Sequence, residues 1–417
     1  MASSASRPSH RSEPRVLLVI STDPPKAQSG AEQPRRDYNM LRDALAADML
    51  TPAVARRSRL GAFLHHRAGR SVALAVEAFR RRHRYDAIYT DGENVGLPLA
   101  LLLKLSRARP TAPRHVMLSH YLSPAKKRAL FRLGAASHID TLIVHSAAQR
   151  ELAINTLHVP ATRVRRLPYF ADQTFWRPDV TARTEFHLSL RERGPGGEVR
   201  PVTPMICAVG LEFRDYKTLV AAVTDLDVHL RIAAASAWSH HAAFAGSPAL
   251  PPNVSVGGYT YLPLRELYAA ARFVVVPLRD VDNQAGVTVI LEAMAMGKAV
   301  IVTATRGQTD VVRDRRNSGR GRVERAWWPG FVDEPAVAAS VAGLATGLYV
   351  APGDPAELRR AIHYLLAHPD LAAELGRNGR RVVETCFTLD AFTTRFAAAI
   401  RGEPDPMPTA QDSPIAP

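Results

Sequence analysis

The chain is poor in cysteine, in aromatic residues and in long apolar runs, and each shortage removes a class of protein. Cys207 and Cys386 are the only cysteines in 417 residues. They lie far apart with no Cys-x-x-Cys or Cys/His companions, so neither a disulfide framework nor a zinc site is expected, and a reducing, cytoplasmic setting fits. No apolar run nears the roughly 20 residues that a membrane span needs, and the early VLLVI at 16–20 is cut off by STDPP before it could act as a signal-peptide core. The expectation is a protein neither secreted by that route nor integral to a membrane. Catalytic constellations are scarce as well. There is no Ser/His/Asp or Cys/His arrangement, no carboxylate pair of the kind a glycosidase uses, and no Asp-x-Asp placed at a strand end. Asp280 and Asp282 of DVDNQ have that spacing, but they open a helical motif and are expected to cap it. No helix-turn-helix, zinc-finger or aromatic RNA-binding signature accompanies the arginines, so nucleic acid is not an expected partner.

A content of 46% hydrophobic and 22% charged residues is that of a globular protein, and 417 residues exceed the size of a single hydrophobic core, so two domains are expected. The formal charge of +15 is unevenly placed. Residues 1–200 hold 33 basic against 17 acidic residues, whereas residues 201–417 hold 21 against 22. The excess in the first half suits an anionic substrate or an anionic membrane surface. PAKKRALFRLG (124–134) gathers Lys126, Lys127, Arg128 and Arg132 around Leu130, Phe131 and Leu133, and RRRHR (80–84) adds more, a pattern open to membrane contact or to a solvated basic face.

Short apolar runs alternate with helical stretches. Strands are expected at 15–20, 87–90, 115–119 and 141–146, with helices such as 38–49 and 147–158 between them. The pattern pauses at the Gly/Pro-rich LRERGPGGEVRPVTP (190–204) and resumes with strands at 205–210, 229–235, 253–258, 273–278, 299–303 and 347–354. The fold class expected is α/β: two Rossmann-like domains in series, each with a parallel sheet, facing a cleft. The divisions are a tail at 1–14, a first domain at 15–185, a linker at 186–203, a second domain at 204–385, a helix at 386–401 packing back on the first domain, and a tail at 402–417. The segment 313–346, basic and carrying Trp327 and Trp328, is an insertion long enough to be a lid or an acceptor contact, or a loop anchored by its tryptophans.

One stretch carries chemistry by its spacing. QAGVTVILEAMAMGKAVIVT (284–303) reads as turn, apolar helix, glycine cap and strand, with a single carboxylate, Glu292, inside the apolar run. Free amides near Gly286, Val287 and Thr288 would form a phosphate site at the helix N-terminus. Thr288 and Glu292 are four residues apart, so they share a face about 6 Å apart along the axis, a span suited to a phosphate and the ribose below it. The same spacing also fits a glutamate facing solvent or pairing with an arginine.

The neighbouring segments favour the nucleotide reading. VVVPLRDVDNQAGVTVILEAMAMGKAVIVTATRGQTDVV with GLYVAPGDPAELRRAIHYLL downstream, and LIVHSAAQRELAINTLHVPATRVRRLPYFADQTFWRP before them, resemble the retaining glycosyltransferases of family 4, which have the GT-B fold. The likeness spans most of residues 15–400 and is strongest in the C-terminal half. It implies glycosyl transfer from a nucleotide-sugar donor to a hydroxyl acceptor (a sugar, a lipid-linked molecule or a small molecule) with anomeric retention; with no Asp-x-Asp placed at a strand end, transfer without a metal or other cofactor is expected. The first domain would hold the acceptor and the second the donor. Glu292 matches the second glutamate of the family's E-x7-E motif, which binds ribose. The first falls on Gln284, which keeps the hydrogen-bonding reach and drops the charge, and Val287 fills the motif's small-residue slot with Gly286 one place earlier.

AVGLEFRDYKTLVAAV (208–223) resembles the family's phosphate clamp, with Arg214 in the lysine's place and Lys217 close by, while Leu211 or Glu212 occupies the arginine's slot. His120 resembles the histidine that faces the donor sugar, and Gly30 lies in the loop where the family brings acceptor and diphosphate against the backbone. Tyr259 or Tyr261 would stack on the base. Residues in catalytic roles are thus His120, Arg214 and Gln284, and those holding the donor are Lys217, Gly286, Val287, Thr288, Glu292 and Tyr259. The family's lipid-linked acceptors would bring the protein to the inner face of a membrane as a peripheral protein. The rival expectation is a GT-B protein that binds nucleotide sugar or acceptor without transferring; a sugar-nucleotide epimerase would need acid and base residues that are not found.

Overall fold

The computed structural model describes residues 14–24, 32–106, 112–179, 203–234, 250–308, 310–313 and 344–406. Gly30, most of the linker, most of the 313–346 insertion and most of both tails lie outside the described residues.

In the first half, strands β1 (Val16–Val19), β2 (Asp48–Leu50), β3 (Ala87–Thr90), β4 (Arg114–Ser119), β5 (Thr141–Val144) and β6 (Val164–Arg166) form one parallel sheet in the order β2-β1-β3-β4-β5-β6. Helices α1 (Asp37–Leu45), α2 (Pro52–Ala55), α3 (Arg59–Ala68), α4 (Arg70–Arg81), α5 (Glu93–Leu105), α6 (Ala125–Arg132) and α7 (Ala147–Glu151) connect them. In the second half, β7 (Met205–Val209), β8 (His229–Ala233), β9 (Val254–Gly257), β10 (Phe273–Val276), β11 (Ala299–Thr303) and β12 (Gly347–Val350) form a second parallel sheet, in the order β12-β11-β10-β7-β8-β9. Its described helices are α8 (Tyr216–Val223), α9 (Tyr261–Ala270), α10 (Val287–Ala295), α11 (Pro355–Ala367) and α12 (Pro369–Cys386).

Strands covered by helices on both faces read as unbroken apolar runs. VLLV, AIYT, TLIV, FVVV and AVIVT are buried at every position, which is why these strands were visible in the sequence. The three-residue β2 and β6 were not. β2 cuts off the helix expected over 38–49, because Ala46 takes a left-handed conformation (φ 45°) that ends α1. The helix expected over 147–158 is α-helical only to Glu151 and continues as a π turn over Leu152–Thr156.

Each sheet reverses direction of growth once. The reversals lie between β1 and β3 and between β7 and β10, and ligands of open α/β sheets gather off the carboxyl ends at such points. Two crossings join the domains and bond to each other: the Ala171 N–H donates to the Phe387 carbonyl (2.8 Å), and the Leu389 N–H donates to the Ala171 carbonyl (3.1 Å). Arg35 clamps both crossings, with Nη2 2.9 Å from Asp172 and Nη1 2.9 Å from Asp390. Burial would raise the Asp172 carboxyl, but the Arg35 hydrogen bonds hold it below the usual range. After the second crossing, α13 (Leu389–Arg401) packs on the first domain, with Leu389, Phe392, Phe396 and Ile400 in one cluster with Val16, Leu18 and Tyr89.

Candidate active site in the interdomain cleft

Arg214 sits at the switch point of the second sheet. Gly210 follows β7 with φ 105°, a left-handed conformation suited to glycine, and a Cβ there would strike the Arg214 guanidinium. The arginine folds back under this turn. Its Nε donates to the Val209 carbonyl and its Nη1 to the Glu212 carbonyl, both at 2.9 Å. Its backbone bridges to Leu278, just past β10, and its side chain is buried. Arg214 therefore spends its hydrogen bonds on carbonyl oxygens and not on the carboxylates of Glu212 or Asp215. Burial depresses its pKa, so charge is held in a place where it is poorly solvated.

Beside it stands the amino end of α10. Gly286 is the N-cap at φ 80° with no side-chain cap, so the expected capping by Asp280 or Asp282 does not occur. A Cβ on Gly286 would come within 2.9 Å of Val276 Cγ1 and 3.5 Å of Arg214 Nη1, which places the guanidinium against the helix start. Val287 is buried and Thr288 exposed at this end. The helix is apolar because it is enclosed: Val289 through Ala295, Glu292 included, are buried, and Met294 packs with Val382 and Val383 of α12.

Glu292 is 9% exposed. Tyr268 of α9 donates its hydroxyl to Oε2 at 3.0 Å. Burial pushes the carboxyl up to about 7, against the opposing pull of the Tyr268 hydrogen bond and the Arg214 charge. Glu292 is thus neither solvent-facing nor salt-bridged. With Thr288 it lines a cavity of about 170 Å³ whose other walls include Arg36, Asp37, Tyr169 and Tyr261.

The turn ahead of α10 is backed by the loop after β11. Gln308, fully buried, donates Nε2 to the Ala285 carbonyl at 2.8 Å. Gln284 Oε1, Asn283 Oδ1, Gln308 Oε1 and Thr305 Oγ1 are buried without a hydrogen-bond partner among the described residues. Buried polar atoms without partners are rare, and this group would suit a ligand rich in hydroxyls. Thr305 and Gln308 were missed in the sequence. The available signal was a polar loop, TATRGQ, immediately after a buried strand.

The other second-domain candidates are less centrally placed. Lys217, second residue of α8, is exposed and makes no hydrogen bond among the described residues. Tyr259 is half-buried over Gly257, where a Cβ would lie 3.2 Å from its ring. Tyr261, the alternative, opens α9 and borders the Glu292 cavity, with its ring 6.3 Å from Phe175, 6.4 Å from Trp176 and 5.2 Å from the Arg36 guanidinium.

Across the cleft, the carboxyl ends of β1, β3, β4 and β5 carry Ser21, Asp91, His120 and His145. Asp91 Oδ2 accepts from the Ser21 N–H (2.7 Å) and hydroxyl (2.9 Å), and burial raises its carboxyl. Nearby Asp37, at the start of α1, is raised by burial as well, against the opposing pull of the Tyr38 backbone amide. His120 is exposed. Its N–H donates to Glu93 Oε2 and its Nε2 lies 3.0 Å from the Asp91 carbonyl oxygen, which can only accept. The Nε2–H tautomer follows, leaving Nδ1 as a lone pair. Glu93 is buried and pairs with Lys127, so one lysine of the expected basic patch serves the site internally. Arg80 and Arg81 likewise pair with buried Glu77.

His145, its ring 5.7 Å from that of His120, is buried, bonds the Leu167 carbonyl through Nδ1 at 2.9 Å, and is pushed by burial down to about 3. Tyr169 stands edge-on to His145 at 4.8 Å and lines the same cavity as Thr288 and Glu292 of α10. Tyr169 therefore borders both rims, and no local pattern in the sequence marks it. Direct interdomain bonds run beside it: the Ala147 N–H donates to Asp310 Oδ2 (2.7 Å), and Gln149 Nε2 donates to the Asp282 carbonyl (3.2 Å).

Among the described residues no group of three His, Cys, Asp or Glu side chains is arranged to hold a metal ion, and no helix is long and apolar enough to cross a membrane.

Residues 209–325 match the family model described as Glycosyl transferases group 1. No curated protein matches the sequence. Among solved structures, sucrose-phosphate synthase from Thermosynechococcus elongatus is 19% identical, with 93% of this chain and 98% of that chain covered and a TM-score of 0.62. HepE from Anabaena, in complex with UDP-glucose, is 14% identical over 93% of this chain and 99% of its own, with a TM-score of 0.60. Trehalose 6-phosphate synthase from Burkholderia multivorans is 13% identical over 93% and 98%, with a TM-score of 0.58. At these identities the likeness establishes the fold: two parallel six-stranded sheets with flanking helices, arranged as in GT-B glycosyltransferases.

Proposed function

We propose that this chain is a glycosyltransferase that moves a sugar from a nucleotide-sugar donor to a hydroxyl acceptor with retention of anomeric configuration, in the biosynthesis of a polysaccharide, glycolipid or other glycoconjugate. The observation that carries the reading is the meeting of Arg214, the Gly286 helix start and Glu292 at one switch point, inside the segment that matches the Glycosyl transferases group 1 model.

In this mechanism the diphosphate lies against the α10 amides and Arg214, and the ribose hydroxyls donate to Glu292. As the glycosidic bond breaks, negative charge grows on the leaving phosphate. A fixed cation in a poorly solvated cleft favours that state, and losing one such group typically costs about 10²–10³ in rate. Arg214 gives the reaction a means of neutralising charge without a metal. Gln284, Thr305 and Gln308 offer oxygens to sugar hydroxyls. His120, its tautomer set by the Asp91 carbonyl, faces the donor sugar. The acceptor enters from the first-domain rim, attacks on the face the diphosphate leaves, and passes its proton to the departing phosphate. Lys217, exposed, screens the phosphates from further out. Tyr259 or Tyr261 stacks on the base, and Gly30 belongs to the acceptor loop. We take the protein to act at the cytoplasmic side of a membrane, as a peripheral protein.

UDP-glucose, the ligand of HepE, is the first donor to try. The test is a thermal-shift panel of nucleoside diphosphates and their sugars, followed by transfer assays with NMR of the product's anomeric centre. Failure of every nucleotide to raise the melting temperature, or normal nucleotide affinity in Glu292→Ala, would sink the assignment. A second reading rests on Gln284, an amide where the family has a carboxylate. Nucleotide-induced stabilisation without turnover would mark a binder that does not transfer.

A further inference from the structure

Leu60 and Phe63 are among the most exposed large apolar side chains described, at 40% and 58%, and they stand three apart on one face of α3. The helix is fixed by its other side. Gly61 is its only buried residue, packed so closely that a Cβ would run into the Ala55 carbonyl. Ser58 caps the helix by accepting from the Gly61 N–H (2.8 Å) and donates to buried Glu77 of α4 (2.6 Å). The outward face is therefore held rigidly.

Charge around that face has one sign. No Asp or Glu occurs between residues 49 and 76, while Arg56, Arg57, Arg59, Arg67 and Arg70 do. Arg56 pairs with Asp23 at 3.3 Å, and the other four have no carboxylate partner among the described residues. The location also matters. α2 follows the carboxyl end of β2, and Asp23, just past β1, accepts from the Ala53 N–H, so the start of α2 lies at the cleft-side rim of the first domain, with α3 the next element of the chain.

We propose that α3 docks the protein on an anionic lipid surface, with Leu60 and Phe63 entering the headgroup layer and Arg59 and Arg67 meeting the lipid anions. A bilayer interface takes apolar side chains and cations side by side, which is the combination displayed. A second copy of the chain would set the same arginines against each other. This deepens the surface-association part of the proposed function, moves the contact from α6 to α3, and does not depend on sugar transfer.

The experiment is flotation of the full chain with vesicles of phosphatidylcholine alone or with about a third phosphatidylglycerol, at low and high salt. Wild type is expected to float with the anionic vesicles only, and less so at high salt. Each arginine near such a surface is worth about fivefold in partitioning, so Arg59→Gln with Arg67→Gln should lose about 25-fold at low salt. Leu60→Ser with Phe63→Ser should lose at least about tenfold. No binding of wild type to anionic vesicles, or flotation of the Leu60/Phe63 variant equal to wild type, overturns the proposal, as does binding to a duplex oligonucleotide in place of vesicles. An unchanged nucleotide-induced thermal shift shows that the variants are folded. A wild type that floats but takes no nucleotide would count against the transferase reading and leave the α3 contact standing.

Discussion

The two sheets have the same size, the same parallel sense and a single reversal each, yet their facing rims carry opposite chemistry. The second-domain rim holds a buried guanidinium, an uncapped helix start and one buried carboxyl (Arg214, Gly286, Glu292). The first-domain rim holds Asp37, Asp91, Glu93, His120 and His145, rich in oxygen and nitrogen lone pairs. One rim suits anionic phosphate and the other suits hydroxyl donors. Topology thus fixes where ligands gather, and the side chains at the strand ends fix which ligand each rim takes.

The division of labour can be broken by substitution on either side. The largest effect is expected from Arg214→Ala, with kcat falling about 10²–10³-fold, whereas Arg214→Lys should recover part of it; equal rates for Ala and Lys would remove the charge argument. Next, Glu292→Ala should weaken nucleoside diphosphate binding by about 10–100-fold in calorimetry, the loss of one or two charge-assisted hydrogen bonds. His120→Ala should lower kcat about tenfold while leaving the nucleotide Kd unchanged. A raised Kd there would mean that the rims are not chemically separate.

The smallest effect is one of pH. The Glu292 carboxyl is raised from 4.5 to about 7 in the free protein, so ionising it costs stability that is fully present below pH 4.5 and lost as pH climbs through about 7. Ribose hydroxyls need the ionised form. Nucleotide affinity should therefore rise severalfold between about pH 6 and pH 8, and Glu292→Gln should be more thermostable than wild type at pH 8 without ligand. Flat pH dependence in titration calorimetry would count against a buried, protonated Glu292.

The fully buried strands were legible because enclosure on both faces demands continuous apolar residues, and Glu292 was legible because a charge inside such a run needs a reason. β2 and β6 escaped notice, being too short to show a period. The capping expected of Asp280 and Asp282 failed because the tight turn at Gly286 takes the N-cap position, a backbone conformation that side-chain chemistry does not announce. Gln308, Tyr169 and His145 escaped for a different reason. Each acquires its role from another element: Gln308 from the Ala285 carbonyl, Tyr169 from the cavity it shares with Glu292, and His145 from the Leu167 carbonyl.

The amino-acid sequence by itself determined the alternation of strand and helix, the two-domain division and the single carboxylate in an apolar helix, since these are encoded by neighbours within a few residues. Only the tertiary structure decided that Arg214 lies under the α10 helix start, that Lys127 is taken up by Glu93, and that α3 turns Leu60 and Phe63 outward. The physical reason is distance along the chain: burial, desolvation and exposure are set by residues tens or hundreds of positions away, and no local pattern records them.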